Sequence, residues 1–166
     1  MEAAKQERES HPDEIETKHP GYLLSQDTFY VEYLKGVGRI YQQTVVNTYS
    51  SVTFAKVYTA KIPVTVSDVL NDQVLPSFED HEMPVLRVLT DRVHQTILNE
   101  FYRVTFRKKV YSDLEALQMD LNKYMNECNY KRTHQGKRCQ GRTPMESFLE
   151  SKKYFLEKNL SESLAA

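Results

Sequence analysis

Two aspartates stand in surroundings that ask for an explanation. Asp27 falls in the β-rich stretch Tyr22 to Glu32, where alternation sets Leu23, Ser25, Asp27, Phe29 and Val31 on one face. A carboxylate that interrupts a largely apolar face costs free energy unless it is paired, hydrogen-bonded or bound to a metal. Asp91 closes a different stretch. Pro84 opens a strand, and Val85, Leu86, Val88 and Leu89 form an apolar run that predicts a short buried strand. From Val93 the period changes, with Val93, Ile97, Leu98, Phe101 and Val104 at helical spacing. Asp91 therefore falls where a strand hands over to a helix. A functional carboxylate is common there in a sheet with helices on its faces, and so is an Asp that simply caps the helix.

Basic residues form a second group. Arg103, Arg107, Lys108 and Lys109 come first, followed by Lys131, Arg132, His134, Lys137, Arg138 and Arg142, with no acid between Cys128 and Met145. Such a run can contact phosphates through charge without reading sequence, or be a solvated face. His134 fits either a phosphate contact or a structural hydrogen bond. The 11 tyrosines can stack on bases, although their strand and helix spacing favours packing. Cys128 and Cys139 flank His134 without the second ligand pair that a zinc site needs, and read as reduced thiols.

The elements that must position these groups can be read in order. Residues 1–19 form a polar, acidic tail or linker that ends at the turn signal His19-Pro20-Gly21. Tyr22 to Glu32, Arg39 to Asn47 and Ser51 to Ala60 are rich in Val, Tyr, Phe and Thr, and their short connections predict an antiparallel meander. Pro63 and Ser67 mark a helix start, with Val69, Leu70, Val74, Leu75 and Phe78 as its stripe. That crossover lets the strand at Val85 lie parallel to the first. After Asp91 a helix runs from about Arg92 to Arg107. Ser112 and Glu115 read as a capping box before a helix striped by Leu114, Leu117, Leu121, Tyr124 and Met125. Asn129 to Arg142 reads as a loop, and Thr143 with Pro144 restarts a helix. Residues 20–150 thus form the core domain, and 151–166 a frayed, charged tail.

Composition sets the outer bounds. A chain of 166 residues, 40% hydrophobic and 27% charged, suits one soluble domain. A formal net charge of −1 supplies no global field for nucleic acid. No apolar run reaches membrane-spanning length and the first residues are too polar for a secretory signal, so a cytoplasmic protein is expected.

An Asp in the first strand, an Asp after the fourth, then helices: this order resembles the integrase catalytic core of bacterial insertion-sequence transposases, over about Pro20 to Leu149. Arg92, His94, Thr96 and Glu100-Phe101 resemble that family's Glu-Arg-x-His-x-Thr-Leu-x-x-Glu-Phe helix. Asn129, Arg132, His134 and Thr143-Pro144-Met145-Glu146 resemble its closing motif. The resemblance implies a truncated α/β, ribonuclease-H-like fold: a mixed sheet of three antiparallel strands plus a parallel strand, with flanking helices. It also implies a polynucleotidyl transferase for DNA integration, in which three carboxylates hold two magnesium or manganese ions. Asp27 matches the first acid and Asp91 the second, and both would be catalytic and metal-binding. Arg92 and His94 join the basic residues above as candidate DNA contacts. Element-end DNA and an oligomer, with itself or an intact transposase, are the implied partners, and no membrane.

The chain departs from that pattern in one place. The family has several dozen residues between its second Asp and the Glu before Arg-x-His, whereas Thr90-Asp91-Arg92-Val93-His94 joins the two sides directly. Asp91 can stand for the second acid or for the Glu, not for both. Glu100 lies about 13 Å further along a helix and matches a separate position. The upstream helix-turn-helix region of such transposases is missing as well. A defective transposase core is the expectation. A DNA-binding or transposase-poisoning remnant, and a decayed reading frame, are the alternatives.

Overall fold

A computed structural model describes residues 17–90, 98–136 and 138–164. The three β-rich stretches form strands β1 (Leu24–Leu34), β2 (Gly38–Asn47) and β3 (Thr53–Tyr58). They pair antiparallel, and β4 (Val88–Thr90) joins β1 in parallel, giving the sheet order β3-β2-β1-β4. Two short helices, α1 (Pro63–Val69) and α2 (Leu75–Asp80), precede β4, and α3 (Arg103–Lys108), α4 (Leu114–Tyr130) and α5 (Pro144–Leu164) follow it. This is the expected mixed sheet with flanking helices.

Helices cover both faces. Ile40, Ala55 and Val57 pack with Phe101, Tyr102, Leu117, Leu121 and Met125 from the α3–α4 side. Leu24, Val45 and Val52 pack on the other side with Val69, Val74, Phe78, Met145 and Phe148 from α1, α2 and α5. The α4 stripe is buried as its spacing predicts, while Val104 of the preceding helix is exposed. In β1 an extra residue between Tyr30 and Glu32 makes a bulge, which shifts the strict alternation expected of that strand.

Local chemistry explains several boundaries. Pro76 lacks an N–H and would clash with a helical carbonyl behind it, and a π-helical turn, Leu70–Val74, sits just before it between α1 and α2. Gly21 has φ of +81°, and a Cβ there would lie 2.1 Å from the Pro84 carbonyl oxygen. Only glycine lets the start of β1 approach the chain entering β4, where the Leu86 N–H donates to the Gly21 carbonyl at 2.9 Å. Thr143 Oγ1 accepts the Glu146 N–H at 3.2 Å while a Glu146 carboxylate oxygen accepts the Thr143 N–H at 2.8 Å, a complete capping box.

Four expectations need correction. The β4 region is not buried: Leu86 is 55%, Val88 39% and Leu89 46% exposed, because β4 is an edge strand of only 3 residues. The cap of α4 is Asp113, not Ser112; its carboxylate accepts the Ala116 N–H at 2.8 Å and Ser112 donates to it. The helix expected from about Arg92 has a described part that opens with a π-helical turn, Leu98–Tyr102, before α3. Finally, α5 does not fray at residue 151 but continues to Leu164, with Phe155 packed on the core.

Candidate functional site

Asp27 lies in the first half of β1, just past the residues paired with β4, and its register partner on β2 is Thr44. It is partly exposed, and its carboxylate makes no hydrogen bond or ion pair with another described residue. A buried polar chain runs along the same face. The Tyr102 hydroxyl donates to Gln42 Oε1 at 2.5 Å, and Gln42 Nε2 donates to Thr44 Oγ1 at 2.6 Å. The chain ties β2 to the π-helical turn Leu98–Tyr102. Burial pushes the Tyr102 hydroxyl well above the usual phenol range, so it stays a donor.

On the β4 side, Gln26 pairs with Thr90, and each of these residues is followed in sequence by an acid, Asp27 and Asp91. Asp91, Arg92, His94 and Lys137 lie outside the described residues. Among the described residues no group of three or more His, Cys, Asp or Glu side chains could hold a metal ion. Asp27 is a hard oxygen ligand of the kind magnesium takes, and among the described residues it stands alone, short of a two-metal site.

The closing motif has a different role. Glu100 accepts both the Arg132 guanidinium and, at 3.2 Å, the Tyr124 hydroxyl. Arg132 holds Glu100 below the usual carboxylate range, and Glu100 in turn raises Arg132. Arg132, named above as a DNA contact, is thus neutralised by an acid 32 positions away. Asn129 clamps β3: its Oδ1 accepts the Thr53 N–H at 2.9 Å and its Nδ2 donates to the Thr53 carbonyl at 2.8 Å. His134 closes the loop, its N–H donating to the Arg142 carbonyl and its carbonyl accepting the Gly141 N–H. Tyr124, Cys128, Arg132 and His134 line a hollow of about 230 Å³ against Thr44. Burial raises the Cys128 thiol.

The remaining cations sort by partner. Lys109 pairs with Asp120 at 2.5 Å and lies 4.9 Å over the Tyr111 ring. Arg142 pairs with Glu150 and donates to the Cys139 and Arg138 carbonyls. Arg138 donates to the Thr17 carbonyl and lies 4.8 Å over Tyr49. Arg103, Arg107, Lys108 and Lys131 are exposed and make no ion pair with another described residue. The Gln42–Tyr102 chain and the amide clamps on β3 were not anticipated from sequence. The polar run Gln42-Gln43-Thr44 inside a strand was their one visible sign.

No family model and no curated protein matches the chain. Among solved structures it is similar to a chain in the cryo-EM structure of the simian T-cell lymphotropic virus intasome in complex with PP2A regulatory subunit B56 gamma. The identity is 14% and the TM-score 0.55, over 80% of this chain and 57% of that one. It is also similar to the HTLV-2 integrase catalytic core domain in complex with magnesium, in its trimeric form, at 13% identity and TM-score 0.48, over 80% of this chain and 99% of that one. The chain therefore shares the fold of that intasome chain over the matched part, a mixed four-stranded sheet with helices on its faces. It spans little more than half of the intasome chain's length. Among the described residues no helix is long and apolar enough to cross a membrane.

Proposed function

We propose that the chain is the remnant of an insertion-sequence transposase core that acts on DNA in the cytoplasm and has lost its own strand-transfer activity. The core begins near residue 20. Its sequence lacks the family's stretch between the second and third acids, and Asp27 and Asp91 are what is left of a carboxylate trio for magnesium or manganese. The observation that carries this reading is the bare flank of β4. Leu86 just before β4, and Val88 and Leu89 on it, are apolar and exposed, next to the junction where the family's next strand and helix would follow. β4 is short, as edge strands often are, but its exposed side chains are apolar where an evolved edge usually carries charge.

Two carboxylates in place of three weaken metal binding and misplace the nucleophile, and errors of about 1 Å can cost roughly a hundredfold in rate. What is left is a DNA-contacting surface and an open edge. Arg103, Arg107, Lys108 and Lys131 keep their charge available for phosphates, and the exposed edge suits association with another copy or with an intact transposase. The test is nicking of supercoiled plasmid bearing element ends, with magnesium or manganese. No nicking above background is expected from the chain, and nicking that Asp27→Asn abolishes would overturn the reading.

A further inference from the structure

We infer that the hollow between residues 17–19, the β2–β3 turn and α5 receives an unstacked base of single-stranded DNA. The inference rests on the DNA-contacting reading above and gives it a second, separate place of contact. The hollow measures about 230 Å³ and is lined by Lys18, His19, Tyr49, Tyr154, Phe155 and Asn159. Aromatic side chains line it: the His19 and Phe155 rings pack on each other at 4.4 Å and 39° as its floor, and Tyr154, 66% exposed at the rim, offers the ring on which a base can stack. Cations stand beside them, with Lys18 in the lining and the Arg138 guanidinium 4.8 Å over Tyr49. Aromatic faces next to positive charge are what binders of single strands combine, stacking each base while holding its phosphate. The Asn159 side chain adds a donor and an acceptor for a base edge.

Other ligands fit less well. An aliphatic chain would leave Lys18 and Asn159 unmatched, and a duplex keeps its base faces stacked inside. The hollow beside Cys128 does not compete, because its guanidinium is already neutralised by Glu100. The α5 hollow thus combines stacking surface with charge. Its shape and charge ask for a base with its own phosphate.

The test is fluorescence anisotropy with a labelled single-stranded octanucleotide, with the same strand made abasic, and with a duplex. The base-bearing strand is expected to bind about tenfold tighter than the abasic one. Tyr154→Ala should remove that difference, and Tyr154→Phe, which keeps the ring, should preserve it. Because Tyr154 is exposed, both variants should unfold at the midpoint of the parent. Equal binding of the two strands, or binding of the base-bearing strand untouched by Tyr154→Ala, overturns the pocket and leaves duplex binding standing. Failure of all three DNAs to bind overturns the pocket and the DNA-contacting reading together.

Discussion

Along β3 the outward backbone groups are met one by one from α4. Gln118 accepts the Val57 N–H at 2.8 Å and donates to the Ala55 carbonyl at 3.1 Å, and Asn129 does the same for both backbone groups of Thr53. Two amide side chains stand where a neighbouring strand would be. Along β4, at the opposite edge, β1 is the sole strand partner among the described residues, and Val88 and Leu89, with Leu86 just before the strand, are exposed. An edge that a fold has always owned acquires capping groups, because unpaired backbone donors and acceptors cost free energy when buried and invite foreign strands when exposed. A strand that once had a neighbour keeps apolar side chains instead. The contrast fits the proposed deletion better than it fits a small fold built this way from the start.

The comparison breaks most visibly at β3. Gln118→Ala with Asn129→Ala orphans the Thr53, Ala55 and Val57 groups, and is expected to cost about 4 kcal/mol, read as a lower unfolding midpoint in urea. A loss below about 1 kcal/mol would mean that the amides do not finish that edge. Tyr102→Phe comes next. Removing the donor to Gln42, which stands opposite Phe29 on β1, should cost about 1–2 kcal/mol by the same measurement.

Acid tests the α4 side more gently. The Lys109 ammonium, then the Tyr111 hydroxyl, hold Asp120 down to about 2. Its folded value lies below the unfolded value of about 3.9, so the stability it adds is present above about pH 4 and lost as pH falls toward 2. Asp120→Asn should flatten that part of a stability-against-pH curve. The smallest effect on stability belongs to β4. Leu89→Lys should change it by less than about 0.5 kcal/mol, while sedimentation velocity reports less self-association.

Sequence reading reached the two sides of the sheet unequally. The meander β1–β3 was legible because Val, Tyr, Phe and Thr with short turns leave few other structures. The α4 stripe and the Thr143–Glu146 box were equally plain, being periodic or local. Exposure of β4 was not legible, since an apolar run reads the same whether or not a neighbour covers it. The α4 cap was missed by one position because Ser112 and Asp113 both make good caps. The pairing of Arg132 with Glu100 was not legible, because the acid lies 32 positions away, beyond any local pattern of charge. Asp27 was placed on the strand expected of it, with its function resting on a partner acid whose position the described residues do not include.

The number of acids around Asp27 decides whether the chain can hold metal for catalysis. Calorimetric titration of the chain with manganese, beside Asp27→Asn, measures it without requiring turnover. Weak, millimolar-range binding that Asp27→Asn lowers only slightly is the predicted result. Tight binding of a pair of ions that Asp27→Asn abolishes would contradict it, and would make this a complete catalytic centre in a shortened fold.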